Sequence, residues 1–291
     1  MAASEGSEEP VVKVDGGELD EFTEAPAIFR PSMMHGTATD DAAGVAPLLT
    51  RAVALLRCFT QAEYTLSAKD LVERSGIPRS TVHRLIGDLV SLGLLTRTTG
   101  GRYCVGSLVW ELAQHSSIQL HLRHAAQVHL TRLYDASGEN IFLGVMTTDV
   151  PETAEVMYVG HVRGPQSART NAQEGRVFPL LSTAMGVALT AAQPAEWREQ
   201  VVRRLGPREI PAFINQNEGA GDVLEQWRRR GYVVQIGEGS VAIAAPILAE
   251  EGYPNAAVEM VVSPERWDER RLAPLIRSAV GAIARDLQQG E

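Results

Sequence analysis

The sequence predicts an α+β protein in two parts, a basic three-helix head that ends in a β-hairpin and a larger domain of mixed strands and helices. Three observations predict it. Residues 66–106 read as helix, tight turn, helix and hairpin, and the remainder alternates between strand-like apolar runs and helical apolar spacing. Charge is also segregated: residues 1–44 carry 2 Lys/Arg against 10 Asp/Glu, residues 45–107 carry 8 against 4, and the rest carries 17 against 22. Only the middle segment of a chain with net charge −9 is therefore basic. Phosphate binding needs a positive surface where the protein docks and does not need a positive whole-chain average.

The first 44 residues are acidic, rich in Gly, Pro and Ala, and without a sustained hydrophobic period, so they are expected to form a disordered arm. The arm is read either as a competitor of DNA for the basic head or as a solvated extension, with Met33 and Met34 as alternative starts. The head, residues 45–106, opens with a helix over 49–59 whose face is Leu49, Ala52, Val53, Leu56 and Phe59. A second helix over 68–75 has Ser67 as N-cap with Asp70 three residues on, and Gly76 as its stop. Pro78 starts the third helix, where Val82, Leu85, Ile86 and Leu89 form one buried stripe at i, i+3, i+4 and i+7. Ser80, His83, Arg84, Gly87 and Ser91 then lie on the opposite face, flanked by Arg79 and Thr81. Gly93 ends that helix, and residues 94–96 and 103–105 pair across a tip at 99–102, which carries Arg97 and Arg102 on the hairpin. The unit is a winged helix-turn-helix. Arg79, Ser80, Thr81, His83 and Arg84 are the expected DNA contacts in the major groove, and Arg97 and Arg102 the expected phosphate contacts.

A linker helix over 107–118 leads to the larger domain, residues 119–291, which begins with a long helix through Leu133. Strands are expected at 141–147, 155–162, 232–236, 241–247 and 256–262, with helices near 183–192, 195–205, 220–230 and 268–288. The 44% hydrophobic content and 291-residue length support two buried cores. No apolar run is long enough to span a membrane and the N-terminus lacks a basic-then-apolar leader, so a cytoplasmic protein is expected. Cys58 and Cys104 form no C-x-x-C pair and are read as reduced, buried thiols.

These residues resemble the IclR-type family of bacterial transcriptional regulators over positions 48–288. The likeness is carried by Ser80-Thr81-Val82-His83-Arg84-Leu85, Gly101-Arg102-Tyr103 with Val105-Gly106, Pro179 with Thr183-Ala184-Met185-Gly186, Arg230-Gly231-Tyr232, and Ile243-Ala244-Ala245-Pro246. The resemblance implies a C-terminal domain similar to GAF domains that binds a small effector and makes the protein a homodimer or homotetramer on a double-stranded operator. Repression rather than activation is the expected mode. Family members commonly hold an effector carboxylate with a Cys, two Ser and a His. The positions read here as their equivalents are Ala242, Met260, Val262 and Leu181, all apolar, which points to an apolar or aromatic effector or to none. Ser182, Thr183 and Ser240 remain as donors, with backbone N–H groups near Thr183 as an anion site.

Other patterns receive bland readings. Gly237, Gly239 and Ala242 match a dinucleotide fingerprint but precede a β-type run instead of a helix, so a turn and no cofactor are expected. His121, His124 and His129 share a helix and are read as solvated, without a metal. The absence of a G-x-S-x-G elbow argues against nucleophilic catalysis. Glu259, inside an apolar strand on the face opposite Met260, is read as facing solvent or an interface, with a tuned ionisation as the alternative. Arg228, Arg229 and Arg230 are read as favouring a helix C-terminus. The rivals to a regulator are an enzyme acting on the pocket ligand and a ligand-independent architectural protein.

Overall fold

A computed structural model describes residues 47–60, 62–116, 118–164, 168, 170, 172–204, 220–237, 239–248 and 256–289. The acidic arm expected over 1–44 lies outside the described residues. The described chain divides at Ser116 into two compact units, and the predicted linker helix belongs to the first of them as α4 (Ser107–Gln114).

The first unit is built from α1 (Pro47–Leu56), α2 (Ala68–Ser75), α3 (Arg79–Ser91), β1 (Leu95–Arg97), β2 (Tyr103–Val105) and α4. Its core gathers Leu55, Leu66, Leu71, Val82, Leu85 and Leu89. The face expected for the first helix is corrected in part, since Ala52, Leu56 and Phe59 do pack against the core. Leu49 and Val53 are exposed, whereas Leu55 is fully buried, because α1 carries apolar residues on two sides and packing selects the side that meets α2 and α3. Ser67 caps α2 through a full capping box: its hydroxyl accepts from Asp70 N and its own N–H donates to the Asp70 carboxylate. Gly76 follows at φ 67°, a left-handed conformation that glycine adopts without Cβ strain, and the chain turns directly into α3. The hairpin pairs Leu95 with Val105 and Arg97 with Tyr103. A third edge joins it, since Leu66 and Tyr103 exchange both backbone hydrogen bonds.

The second unit is a sheet with helices on both faces, as the α+β expectation required. A π-helical turn (Ile118–Arg123) leads into α5 (His124–Ser137), followed by β3 (Asn140–Met146), β4 (Glu155–Val162) and β5 (Val177–Pro179). A 3-10 turn (Leu180–Ser182) then opens α6 (Ala184–Ala192). Next come α7 (Ala195–Arg204), α8 (Ala220–Arg230), β6 (Val233–Gly237), β7 (Ser240–Ile247), β8 (Ala256–Val262) and α9 (Glu269–Gln289). The strands are antiparallel in the order β5-β4-β3-β8-β7-β6. β5 was not anticipated, for it is three residues long, ends in Pro and sits at the sheet edge, where a strand leaves little pattern.

Alternation along the strands divides the sheet between two cores. Ile141, Ile243, Val258 and Met260 pack against α5 and α9. Phe142, Tyr158, Ala244, Ala257 and Val261 pack against α6, with α7 and α8 beyond. A register shift opposite Leu143 and Gly144 leaves Val159 unpaired in β4, so both Tyr158 and His161 share the α6 face with Phe142 despite their odd spacing. Gly237 and Ser240 pair across the β6–β7 turn and Gly239 has φ 76°, so the glycines of the supposed fingerprint serve a turn between strands. Among the described residues no helix is long and apolar enough to cross a membrane.

Candidate nucleic-acid interface and effector site

α3 presents two faces because its sequence separates them. Val82, Leu85, Ile86 and Leu89 are buried in the head, while Arg79, Ser80, His83 and Arg84 are exposed and Thr81 is half-buried. Arg79 Nε lies 3.5 Å from His83 Nε2 across one helical turn. Neither Arg79 nor Arg84 forms an ion pair with the described residues, so Arg84 keeps its guanidinium donors, and Arg79 those beyond Nε, for an external acceptor. The α3 residues picked from the sequence are thus brought together on one accessible ridge.

The two wing arginines divide. Arg97 is exposed at the end of β1. Arg102 turns inward to the head: its Nη2 donates to Thr65 O at 2.6 Å, its Nε to Thr65 Oγ1 at 3.3 Å, and it lies 3.5 Å from Asp70 Oδ2. Arg102, expected to contact phosphate, thus has part of its guanidinium engaged within the head while staying 47% exposed, since the Leu66–Tyr103 bridge brings Thr65 alongside it, a contact 37 residues apart in sequence. Asp70 is held below its ordinary range, first by the Ser67 backbone N–H and further by Arg102.

The effector residues predicted in the second unit also divide. Leu181, Ser182 and Thr183 lie at the entry to α6, and Ala242 and Ser240 sit on the strand face beneath them. Gln235, paired with Ala242, donates to Ser182 O at 3.5 Å. Met260 and Val262 are fully buried on the opposite face, against α5 and α9, so their expected place beside Ala242 is corrected. Strand alternation turns the neighbouring residues, Glu259 and Val261, toward α6 instead.

Glu259 lies on the strand face opposite Met260, as alternation predicts, but that face is covered by α6 and not by solvent. It is 3% exposed, not solvated. Its Oε2 accepts from the Tyr158 hydroxyl at 2.7 Å and its Oε1 accepts from Met185 N at 3.0 Å, in the first turn of α6. Burial holds its pKa above the ordinary carboxyl range, partly opposed by the Tyr158 and Met185 hydrogen bonds. Tyr158 is pushed far above the usual phenol range, by burial first and by the Glu259 charge second. Thr183 caps the same helix by accepting from Gly186 N at 3.0 Å. Gly186 has no side chain because the Leu180 carbonyl occupies the space, and a Cβ there would lie 2.0 Å from that oxygen. The anion site expected near Thr183 is therefore filled by the protein's own groups. The signal in the sequence was a lone carboxylate in an otherwise apolar strand, which alternation alone could assign to a face but not to a partner.

Phe142, Tyr158 and Phe178 form an aromatic group over this region, with ring centroids 5.6 Å and 5.5 Å apart in edge-to-face contact. Arg163 lies 5.0 Å from the Phe142 centroid and donates to Ala172 O. A half-open cavity of about 350 Å³ lies at the other end of α6, lined by Trp227, Tyr232, Pro246 and Arg277, and none of the predicted effector residues borders it. Other readings are settled locally. His129 bonds Asp286 at 2.7 Å and is half-buried rather than solvated. Arg228 and Arg229 pair with Glu225, holding its pKa down at about 2, and Arg230 pairs with Glu269. Cys58 and Cys104 are free thiols, half-buried rather than fully buried.

Comparison with known proteins gives a consistent picture. Residues 48–99 match the model of the IclR helix-turn-helix domain, and residues 114–289 that of the bacterial transcriptional regulator IclR C-terminal domain. The chain is 30% identical to a glycerol operon regulatory protein of Streptomyces coelicolor over 256 residues, 83% of this chain and 96% of the relative. It is also similar to an IclR homologue of Microbacterium hydrocarbonoxydans solved with 4-hydroxybenzoate, at 27% identity and TM-score 0.70, covering 83% of this chain and 99% of the other. An IclR regulator structure from Alicyclobacillus acidocaldarius, 17% identical with TM-score 0.68, covers 84% of this chain and 99% of the other and shares the fold.

Proposed function

Because this chain belongs to the IclR family of bacterial transcriptional regulators, we propose that α3 reads an operator through Arg79, Ser80, Thr81, His83 and Arg84, under the control of an effector bound at the start of α6. The observation that carries the reading is the ridge on α3, where exposed donors without ion-pair partners stand over a packed apolar stripe. Arg79 and Arg84 supply base or phosphate contacts, and Arg97 a phosphate contact from the wing. Arg102 positions the wing and does not touch DNA.

A second copy of the chain completes the reader. Trp110 and Leu112 on α4 are 71% and 57% exposed, and Leu49 and Val53 on α1 are also open, apolar side chains that a homodimer or homotetramer would cover. Two heads then engage successive major grooves of a palindromic operator in the cytoplasm, and repression by occupancy is the simplest mode. The effector reading rests on the aromatic, apolar lining at α6 and on the aromatic ligand of the 27% identical relative. Such a ligand must favour one spacing of the heads over another to switch binding.

The test is capture of genomic DNA by the full chain, followed by anisotropy titrations of the captured duplex with wild type and R84A. Tight, salt-dependent binding that R84A weakens supports the reading. Wild type that binds no duplex at modest ionic strength overturns it.

A further inference from the structure

We propose that Glu259 is the specificity-determining residue of the effector site: its carboxyl group fills the place where an effector carboxylate would dock on α6, so the site selects an uncharged, hydroxyl-bearing ligand over an organic acid. This deepens the effector reading above and rests on it.

A helix leaves its first four N–H groups without intrahelical partners, and their dipoles favour an anion. In α6 two of these donors are already engaged by side chains. Met185 N donates to Glu259 and Gly186 N to Thr183, and the second carboxylate oxygen holds the Tyr158 hydroxyl. An arriving carboxylate must displace Glu259 or sit beside it, and two carboxylates in one water-poor site cannot both ionise without a large penalty. Arg163 does not offset this, because its guanidinium is turned to the Ala172 carbonyl above the Phe142 ring.

A second observation on the same face points to what the site accepts. Asn140 is 1% exposed, and its Nδ2 donates to Ala168 O at 2.6 Å, yet its buried Oδ1 has no hydrogen-bond partner among the described residues. Asn140 pairs with Val261 and Phe142 with Glu259, so Asn140 and Glu259 occupy successive positions of one face with the Phe142 ring beside them. Buried acceptors without donors are uncommon and costly. A ligand with a hydroxyl hydrogen for Asn140 Oδ1 and an apolar or aromatic body for Phe142 and Tyr158 meets the chemistry of this face. A second anion does not.

The experiment compares 4-hydroxybenzyl alcohol with 4-hydroxybenzoate by calorimetry on the full chain in wild type, E259Q and E259S. The expected result is that wild type binds the alcohol at least about tenfold more tightly than the acid. E259S frees Met185 N–H and removes the charge, so it gains at least about tenfold for the acid. E259Q removes the charge but keeps the hydrogen bonds, so it gains less and tests the charge even where E259S fails to fold. Equal or tighter binding of the acid by wild type, or no gain of the acid in either variant, overturns the assignment. Alcohol binding by all three forms without that gain removes Glu259 as the selector and leaves the effector site standing. Binding of neither probe to any form removes both.

Discussion

The ridge of α3 and the sheet face beneath α6 are both polar groups set on an apolar scaffold, and they differ in how those groups are used. On α3, Arg79 and Arg84 end in water with their donors uncommitted to any described ion pair. Beneath α6, Glu259, Tyr158, Thr183 and the Met185 amide bond one another out of solvent. The first is built to exchange water for an external partner at little cost to the fold. The second holds the fold together and can admit only a ligand compatible with bonds already made. On the proposed reading, the DNA-contacting ridge and the effector-facing strand surface thus place polarity in opposite ways, exposed for the first and buried for the second.

The largest effect that would sharpen this contrast is expected from R84A. It should weaken operator binding by about 1–3 kcal/mol while thermal unfolding stays near wild type, since the side chain is exposed. An R84A protein that unfolds early would show that the ridge is structural after all. Y158F should act in reverse, destabilising the C-terminal unit by on the order of 1–2 kcal/mol by leaving a buried Glu259 oxygen without its donor. Operator affinity of the folded protein should be nearly unchanged, as measured by denaturant unfolding and anisotropy side by side.

The pH dependence of stability follows from Glu259. Its pKa is raised in the folded state, so its contribution is fully present below the ordinary Glu range and is lost as pH rises through the folded value. E259Q should flatten that part of the stability–pH curve, and a wild-type domain that instead grows more stable across the same window would contradict the burial. The smallest effects separate the wing arginines. R97A should lower the salt slope of binding by about one unit, whereas R102A should leave the slope alone and cost at most about 1 kcal/mol of head stability.

The head was legible residue by residue because its information is local. A 3.6-residue period over Val82, Leu85, Ile86 and Leu89 names both the buried stripe and, by subtraction, the exposed ridge. The Ser67–Asp70 box and Gly76 likewise mark their turn within a few positions of chain. Local pattern was half right at α1, where Ala52 and Leu56 pack on the core as expected but Leu55, and not Leu49 or Val53, is buried beside them. Nor could it show that Arg102 also has a partner, Thr65, which arrives through the Leu66–Tyr103 bridge. In the C-terminal unit, the main strands and helices were legible from their periods, but the residues grouped from the sequence around Ala242 do not share one face, since Met260 and Val262 pack against α5 and α9.

By itself, then, the sequence determined the fold class, the winged helix-turn-helix head and the outward face of α3, since each depends on the repeat of side-chain directions along one element. The tertiary structure alone decided that Arg102 ties down the wing, that Glu259 is buried on Tyr158 and Met185, and that the start of α6 is already occupied. Those outcomes depend on which strands and turns become neighbours across tens of residues. A carboxylate or guanidinium carries no mark along the chain of the donor or acceptor that long-range packing will bring to it.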